Sequence, residues 1–350
     1  MANNSSQLLT ALLKEVSRSF YLTMRVLPGA IRPQISLAYL LARTTDTIAD
    51  TEIISVERRL EALEKLRARI LGSSSTLLNF GELAKNQSLP AEKILLERCE
   101  ESLALLSAFS DEDQKRIREV LDVITSGQEL DLRRFAGANE QQIIALQTES
   151  ELDDYTFRVA GCVGEFWTKI CLAHQFNHQE ILSHKNVSES SFTELGVRFG
   201  KGLQLVNILR DLPRDLRAGR CYVPHDLLNP AGLTPRDLLS PANEPKFHAI
   251  YHALLNRAQQ YLAAGWEYTK LIPRSQMRVK LACAWPILIG VETIAKLRQE
   301  NVLNPACRVK ISRSEVRNLI LKSMVLYPFS STWDDQFSRL TGEQECCCVS

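Results

Sequence analysis

The sequence predicts an all-α fold, and three observations predict it. Apolar residues recur at three- and four-residue steps along most of the chain, the spacing that builds one buried face of a helix. Turn-forming clusters punctuate these stretches at Gly72-Ser-Ser-Ser75, Gly137-Ala-Asn139, Asn229-Pro-Ala-Gly232 and Ser240-Pro-Ala-Asn243. No run of alternating β-branched residues is long enough to support a sheet.

Taken in order, the first helix is expected from Ser6 to Met24, where Leu8, Leu9, Leu12, Leu13, Val16 and Phe20 share a face. Pro28 opens the next, which runs through Ile35, Leu37, Leu40 and Leu41 to Asp50; proline suits a helix start. Further amphipathic stretches cover about 56–71, 91–108, 112–132, 151–176, 190–212, 244–271, 276–300 and 313–324. The 350 residues are 45% hydrophobic and 24% charged, enough for a sizeable core. With no low-complexity linker or internal repeat, the expectation is one helical domain over 15–325. A lead-in helix over 1–14 would precede it and a flexible tail over 326–350 would follow.

Composition excludes several classes of function. A formal net charge of +1 leaves no electrostatic footprint for a nucleic-acid partner. The nine cysteines lie singly, apart from Cys346, Cys347 and Cys348, with no zinc-ligand spacing and no disulfide framework; reduced, intracellular thiols are expected. Met1 to Gln7 has neither a basic region nor an apolar signal core. The longest apolar run, Leu281 to Val291, falls short of the roughly 20 residues that a membrane span needs. A cytoplasmic protein, soluble or membrane-peripheral, is therefore expected. The last four residues, Cys347 to Ser350, fit a prenylation pattern, with an unmodified tail as the plain alternative.

Chemistry concentrates in two Asp-x-x-x-Asp pairs. Tyr39, Arg43, Asp46 and Asp50 stand at offsets that place all four on one helical stripe, and so do Gln204, Asn207, Asp211 and Asp215. A polar stripe inside an apolar helix is costly unless every group has a partner. Mg²⁺ and the phosphate that it holds would supply such partners, and buried Asp–Arg networks are the structural alternative. Arg210 adjoins the second pair, and Pro213 interrupts it, which threatens its one-face geometry. A third segment, Asp154 to Gly164, carries Ala160, Gly161 and Gly164 within a helical pattern. Either close helix packing or a groove for a long hydrocarbon chain would explain these small residues.

These blocks, with Ser17-Arg-Ser19-Phe20 and Gly219-Arg220-Cys-Tyr222-Val-Pro224, resemble the squalene/phytoene synthase family over roughly residues 15 to 325. The resemblance implies a single all-α isoprenoid-synthase domain with a central cavity between two Asp-rich helices. It also implies head-to-head joining of two prenyl diphosphates. Ala282-Cys-Ala-Trp-Pro286 and Val309-Lys310-Ile-Ser-Arg313 look most like the squalene synthases. Two places depart from the family pattern, which commonly has Glu before the last Asp of each motif; Ala49 and Arg214 stand there instead.

Carried over residue by residue, the resemblance makes Asp46, Asp50, Asp211 and Asp215 ligands for Mg²⁺, with Mn²⁺ as an alternative. Arg18, Ser19, Arg43, Gln204, Asn207, Arg210 and Arg220 would hold diphosphate. Tyr39, Tyr155 and Arg43 would assist the chemistry. Phe20, Val159, Ala160, Gly161, Val163, Gly164, Leu203, Val206 and Pro286 would line a dry hydrocarbon pocket. The substrate implied is farnesyl diphosphate, and NADPH would supply the hydride of a second step. No Gly-x-Gly-x-x-Gly fingerprint occurs, so NADPH would have no Rossmann site; Lys310 and Arg313 are the candidate contacts for its phosphates. The family further implies a monomer. An insoluble product implies peripheral membrane association, although no strongly basic amphipathic helix stands out. Synthases that stop at presqualene diphosphate, hydroxysqualene, dehydrosqualene or phytoene are the nearest alternatives, and a non-catalytic scaffold of the same fold is a more distant one.

Overall fold

A computed structural model describes residues 12–16, 20–176, 187–304, 306 and 308–342, apart from the side chains of residues 20–22. Arg18, Ser19, the Phe20 side chain and the Cys-rich end thus lie outside the described residues. The fold is all-α, and its helices gather into two compact units, Met1–Ala136 with Glu165–His178 and Gly137–Gly164 with Gln179–Ser350.

The first unit holds α1 (Phe20–Val26), α2 (Arg32–Ala49), α3 (Val56–Leu71), α4 (Gly81–Lys85), α5 (Pro90–Glu97), α6 (Cys99–Ala104) and α7 (Asp111–Arg134). Local chemistry sets the ends of several. Pro33 sits in the first turn of α2 and Pro90 in that of α5, where a missing N–H costs nothing. Ser55 and Ser110 cap α3 and α7 by accepting from Arg58 N–H and Asp113 N–H. Leu37, Leu40, Leu41 and Ile48 of α2, Leu63 and Leu66 of α3 and Ile117 of α7 are almost wholly buried and form the core. Buried Asp113 ties the unit together. It accepts from Gln34 Nε2 at 3.1 Å and from Arg116 Nη1 at 2.8 Å, and it meets His174 Nε2 at 2.8 Å.

The second unit contains α8 (Glu149–Thr156), a π-helical turn (Phe157–Gly161) and the start of α9 (Cys162–His174), whose residues from Glu165 onward belong to the first unit. It continues with α10 (Glu189–Arg217), α11 (His225–Leu228), α12 (Glu244–Leu271), α13 (Met277–Leu297), α14 (Arg313–Leu326), α15 (Ser330–Asp334) and α16 (Gln336–Thr341). The β-structure among the described residues is one parallel bridge between β1 (Ile144–Ala145) and β2 (Arg220–Cys221), with Ile144 opposite Arg220.

Two expectations change here. The tail does not begin at 326: residues up to Gly342 are part of the packed unit. Trp333 is buried, stacks on Trp266 at 4.9 Å between ring centroids, and donates to the Ser323 carbonyl at 3.1 Å. The small residues of the 154–164 segment serve helix packing. A Cβ on Gly164 would stand 1.9 Å from the Gly196 carbonyl oxygen, and one on Gly200 would stand 2.2 Å from that of Ala160. Backbone touches backbone there, so Ala160, Gly161 and Gly164 fill a helix–helix contact with α10 instead of lining an open groove. The helix cost of each glycine, roughly 1 kcal/mol, is offset by that approach.

Candidate active site

In the first unit the acidic pair ends α2. Asp46 lies in its last turn and Asp50 is the C-cap, donating its N–H to the Asp46 carbonyl at 2.8 Å. No basic residue occupies that turn. Helix carbonyls already make this end negative, so two further carboxylates are electrostatically unfavourable there. The Asp46 carboxyl responds. Burial, and then the Asp50 charge, push its pKa up to about 6, against the opposing pull of Arg43 and of a hydrogen bond from Gln128. Its side chain is nonetheless 47% exposed, so water tempers the burial and also leaves room for a ligand.

Surrounding side chains fix this stripe. Buried Gln128 of α7 donates its Nε2 to Asp46 Oδ1. Arg43 reaches to 4.0 Å from Asp46 Oδ2 while Glu92 of α5 holds its other end. Arg59 donates to the Ala49 carbonyl at 2.6 Å, placing a guanidinium on the helix terminus that lacks its own base. Tyr39 is half-buried one turn before Arg43.

The second pair has a different environment. α10 runs unbroken through Pro213 to Arg217, so the helix continues where the sequence suggested a break. Proline leaves the carbonyl four residues earlier without its helical donor. That carbonyl, Leu209, instead accepts from the buried Tyr251 hydroxyl of α12 at 3.1 Å. Asp211 and Asp215 therefore keep their one-turn spacing. Arg210 grips Asp211 with both donors, Nε to Oδ1 at 2.9 Å and Nη2 to Oδ2 at 2.7 Å, and this pairing raises the Arg210 pKa. Arg214 and Arg217 occupy the last turn. A cavity of about 420 Å³ opens beside this end, lined by Arg210, Asp211, Pro213, Arg214, Arg217, Arg308, Val309 and Lys310. Of the two candidate nucleotide contacts, Lys310 lines the cavity, while Arg313 begins α14 and does not.

Other expected residues are placed as follows. Tyr155 is buried and stacks on Tyr222 at 4.7 Å, with its hydroxyl donating to the Tyr222 hydroxyl at 3.4 Å. It stands two residues before the π-helical turn, a local widening often found near functional sites. Gln204, Asn207, Arg220, Leu203, Val159 and Pro286 are half-buried, Val206 is buried, and Val163 is exposed. Sequence reasoning missed Gln128, Glu92, Tyr251 and Arg308. Arg214, which departs from the family pattern, was the legible signal of a basic second motif.

The acidic pairs suit a hard divalent cation: all donors are oxygen, and at Asp46 mutual repulsion is already present for a cation to relieve. Among the described residues no three or more His, Cys, Asp or Glu side chains are grouped to hold a metal ion by themselves. Mg²⁺ typically keeps several waters and takes one or two carboxylates plus substrate phosphates, and each pair fits that pattern.

Fold and acidic helices together define an all-α, prenyltransferase-type protein. The chain belongs to the squalene/phytoene synthase family, whose model matches residues 13–315. It is 30% identical over 295 residues to a bifunctional lycopene cyclase/phytoene synthase of Gibberella fujikuroi, covering 80% of this chain and 46% of that protein. It is 26% identical over 317 residues to the squalene synthase of Saccharomyces cerevisiae, covering 90% and 66%. A presqualene diphosphate synthase of Rhodopseudomonas palustris is 28% identical over 261 residues, covering 75% and 76%. The chain thus spans less than two thirds of the length of the first two. Among solved structures, a ligand complex of TcSQS shares the fold at a TM-score of 0.76 and 19% identity, covering 99% of this chain and 94% of that one. A dehydrosqualene synthase in complex with ligand follows at 0.65 and 18%, covering 93% and 98%.

Proposed function

We propose that this chain is a squalene synthase that joins two farnesyl diphosphates head to head into presqualene diphosphate and then reduces it to squalene. The observation that carries the proposal is the acidic end of α2, where Asp46 stands one turn from Asp50 at the negative pole of a helix and burial and the Asp50 charge push its pKa up to about 6. Such an arrangement is unfavourable for the fold alone and favourable once a cation binds. Asp46 and Asp50, and Asp211 and Asp215, would hold Mg²⁺, with Mn²⁺ as a substitute. A metal ion held there would supply positive charge to the diphosphate leaving group.

The chain's own residues do the rest. Arg43 and Arg220 bind phosphate oxygens in forked geometry, Arg210 contributes the donors that Asp211 does not take, and Gln204 and Asn207 hydrogen-bond the same groups. Arg18 and Ser19 join them by family resemblance. Tyr39 and Tyr155 hold the departing diphosphate or relay the proton lost on ring closure, each hydroxyl passing its own proton to the released diphosphate as it takes one. Val159, Leu203, Val206, Pro286 and Phe20 keep water from the carbocation. Lys310, at the rim of a basic cavity together with Arg214, Arg217 and Arg308, supports a site for NADPH phosphates, and NADPH supplies the hydride of the reductive step. The protein acts as a monomer, and its water-insoluble product brings it to a membrane surface.

Incubation with farnesyl diphosphate and Mg²⁺, with and without NADPH, tests the proposal. Squalene only with NADPH is the expected outcome. Products indifferent to NADPH would reduce the reading to a presqualene diphosphate, hydroxysqualene or dehydrosqualene synthase. Exclusive use of geranylgeranyl diphosphate would favour phytoene, the activity named for part of the Gibberella relative. No turnover of either substrate would leave a scaffold.

A further inference from the structure

Helix α14 is apolar on two faces, although a surface helix needs only one. Its inner face carries half-buried Val316, Leu319 and Ile320 and buried Ser323 and Tyr327, and Ser323 accepts from Trp285 Nε1 of α13 at 3.0 Å. Its outer face exposes Leu321 (51%), Met324 (47%) and Val325 (67%), and Phe329, just beyond the helix, is 62% exposed. Single exposed hydrophobic residues are ordinary, but four large ones within nine positions make a contiguous patch.

The charged residues of this segment are mostly basic. Arg313 and Arg317 are exposed in the first turns of the same outer face, and Lys322 is exposed at its edge. Between 308 and 329 the sequence has five cations, Arg308, Lys310, Arg313, Arg317 and Lys322, and one acid, Glu315. That acid is already engaged: it caps the helix at Ser312 and pairs with Lys296 at 2.7 Å. A segment of net charge +4 (five minus one) thus sits in a chain of net charge +1.

We propose that the outer face of α14 with Phe329 docks on an anionic lipid bilayer. Arg313 and Arg317 lie at the headgroups, and the Leu321, Met324, Val325 and Phe329 side chains enter the acyl boundary. Charge complementarity selects this occupant. A second copy of the chain, meeting the same face across a two-fold axis, would set arginine against arginine in a parallel pairing and arginine against the apolar end in an antiparallel one. Anionic headgroups attract every exposed cation of the segment, while the bilayer interior accepts the apolar end. No helix among the described residues is long and apolar enough to cross a membrane, so this contact is peripheral. It deepens the membrane-surface part of the proposed function, yet lipid binding is measured without turnover, so either can fail alone.

Cosedimentation of the 350-residue chain with vesicles of phosphatidylcholine, with and without phosphatidylglycerol, tests the proposal. Binding is expected on the anionic vesicles and should weaken in high salt. Arg317→Ser and Lys322→Ser should each weaken it about five-fold. The double variant Leu321→Glu/Val325→Glu should abolish it while turnover of soluble substrate persists, since both side chains are already in solvent. Undiminished vesicle binding by the double variant overturns the proposal. So does a wild-type chain that ignores anionic vesicles and dimerises through this face, as shown by a dimer that the double variant abolishes.

Discussion

The two acidic helices share a spacing and differ in everything around it. At the end of α2, Asp46 and Asp50 have no base in their own turn, and Asp46 carries a raised pKa from burial and from its neighbour's charge. At the end of α10, Asp211 is clamped by Arg210, and Arg214 and Arg217 supply the positive charge that a helix C-terminus favours. The difference is one of grip: Arg43 approaches Asp46 only to 4.0 Å, whereas Arg210 holds Asp211 by two hydrogen bonds. A motif of two aspartates does not specify its electrostatic state; the residues between and beside them do.

Substitution of the two aspartates should separate these states most clearly. Asp46→Asn is expected to cost on the order of 10³-fold in turnover, because a proposed metal ligand is lost, and at the same time to raise the melting temperature, because a crowded carboxylate becomes neutral. Asp211→Asn should impair turnover without any gain in stability, since it strands the Arg210 guanidinium. Equal melting temperatures for the two variants, read by calorimetry, would remove the asymmetry.

The basic half of the comparison is tested next. Arg214→Ala with Arg217→Ala should raise the KM for the phosphate-bearing ligand about ten-fold with little change in kcat, as expected when ground-state and transition-state binding fall together. Wild-type KM should climb with ionic strength more steeply than that of this variant. A change confined to kcat would contradict a phosphate-binding role.

Acidity offers a smaller effect with a definite sign. Asp46 must be ionised to hold a metal, so the Mg²⁺ affinity of the first pair should fall about ten-fold per pH unit below about 6. Its contribution to stability runs the other way. The folded state binds the proton more tightly than the unfolded state, so this group's contribution is greatest at low pH and is lost as pH rises from 3.8 to about 6. Mg²⁺ titrations between pH 5 and 7, followed by protection against thermal unfolding, would read both; an affinity flat across that range would refute the assignment.

The smallest expected change concerns the helix break that does not occur. Tyr251→Phe removes the donor that satisfies the Leu209 carbonyl above Pro213. A cost of about 1–2 kcal/mol in unfolding free energy is expected, as for a buried acceptor left unpaired. The α2 site should keep its Mg²⁺ response unchanged.

Much of this molecule is legible in its residues. Apolar periodicity carries α2 to Asp50, the residue that caps it, and marks α10 over 190–212, short of its end at Arg217, and it places each set of four polar residues on one stripe. Where local signals conflict, the sequence reads less well. Pro213 argues for a break that the helix crosses, and Gly161 and Gly164 suit a groove as well as a contact. The residues after 326 look like a tail because the helices there are only five and six residues long, although Trp333 is almost wholly buried.

The sequence by itself determined helix type, helix faces and the paired carboxylates, because those depend on residues three or four positions apart. Tertiary structure decided who partners them. Gln128 reaches Asp46 across 82 positions, Glu92 reaches Arg43 across 49, and Tyr251 rescues the Leu209 carbonyl across 42. Each of these contacts joins two helices whose own periodicities are satisfied with or without it. Their choice rests on which faces pack, and packing is a property of the folded chain that no local spacing encodes.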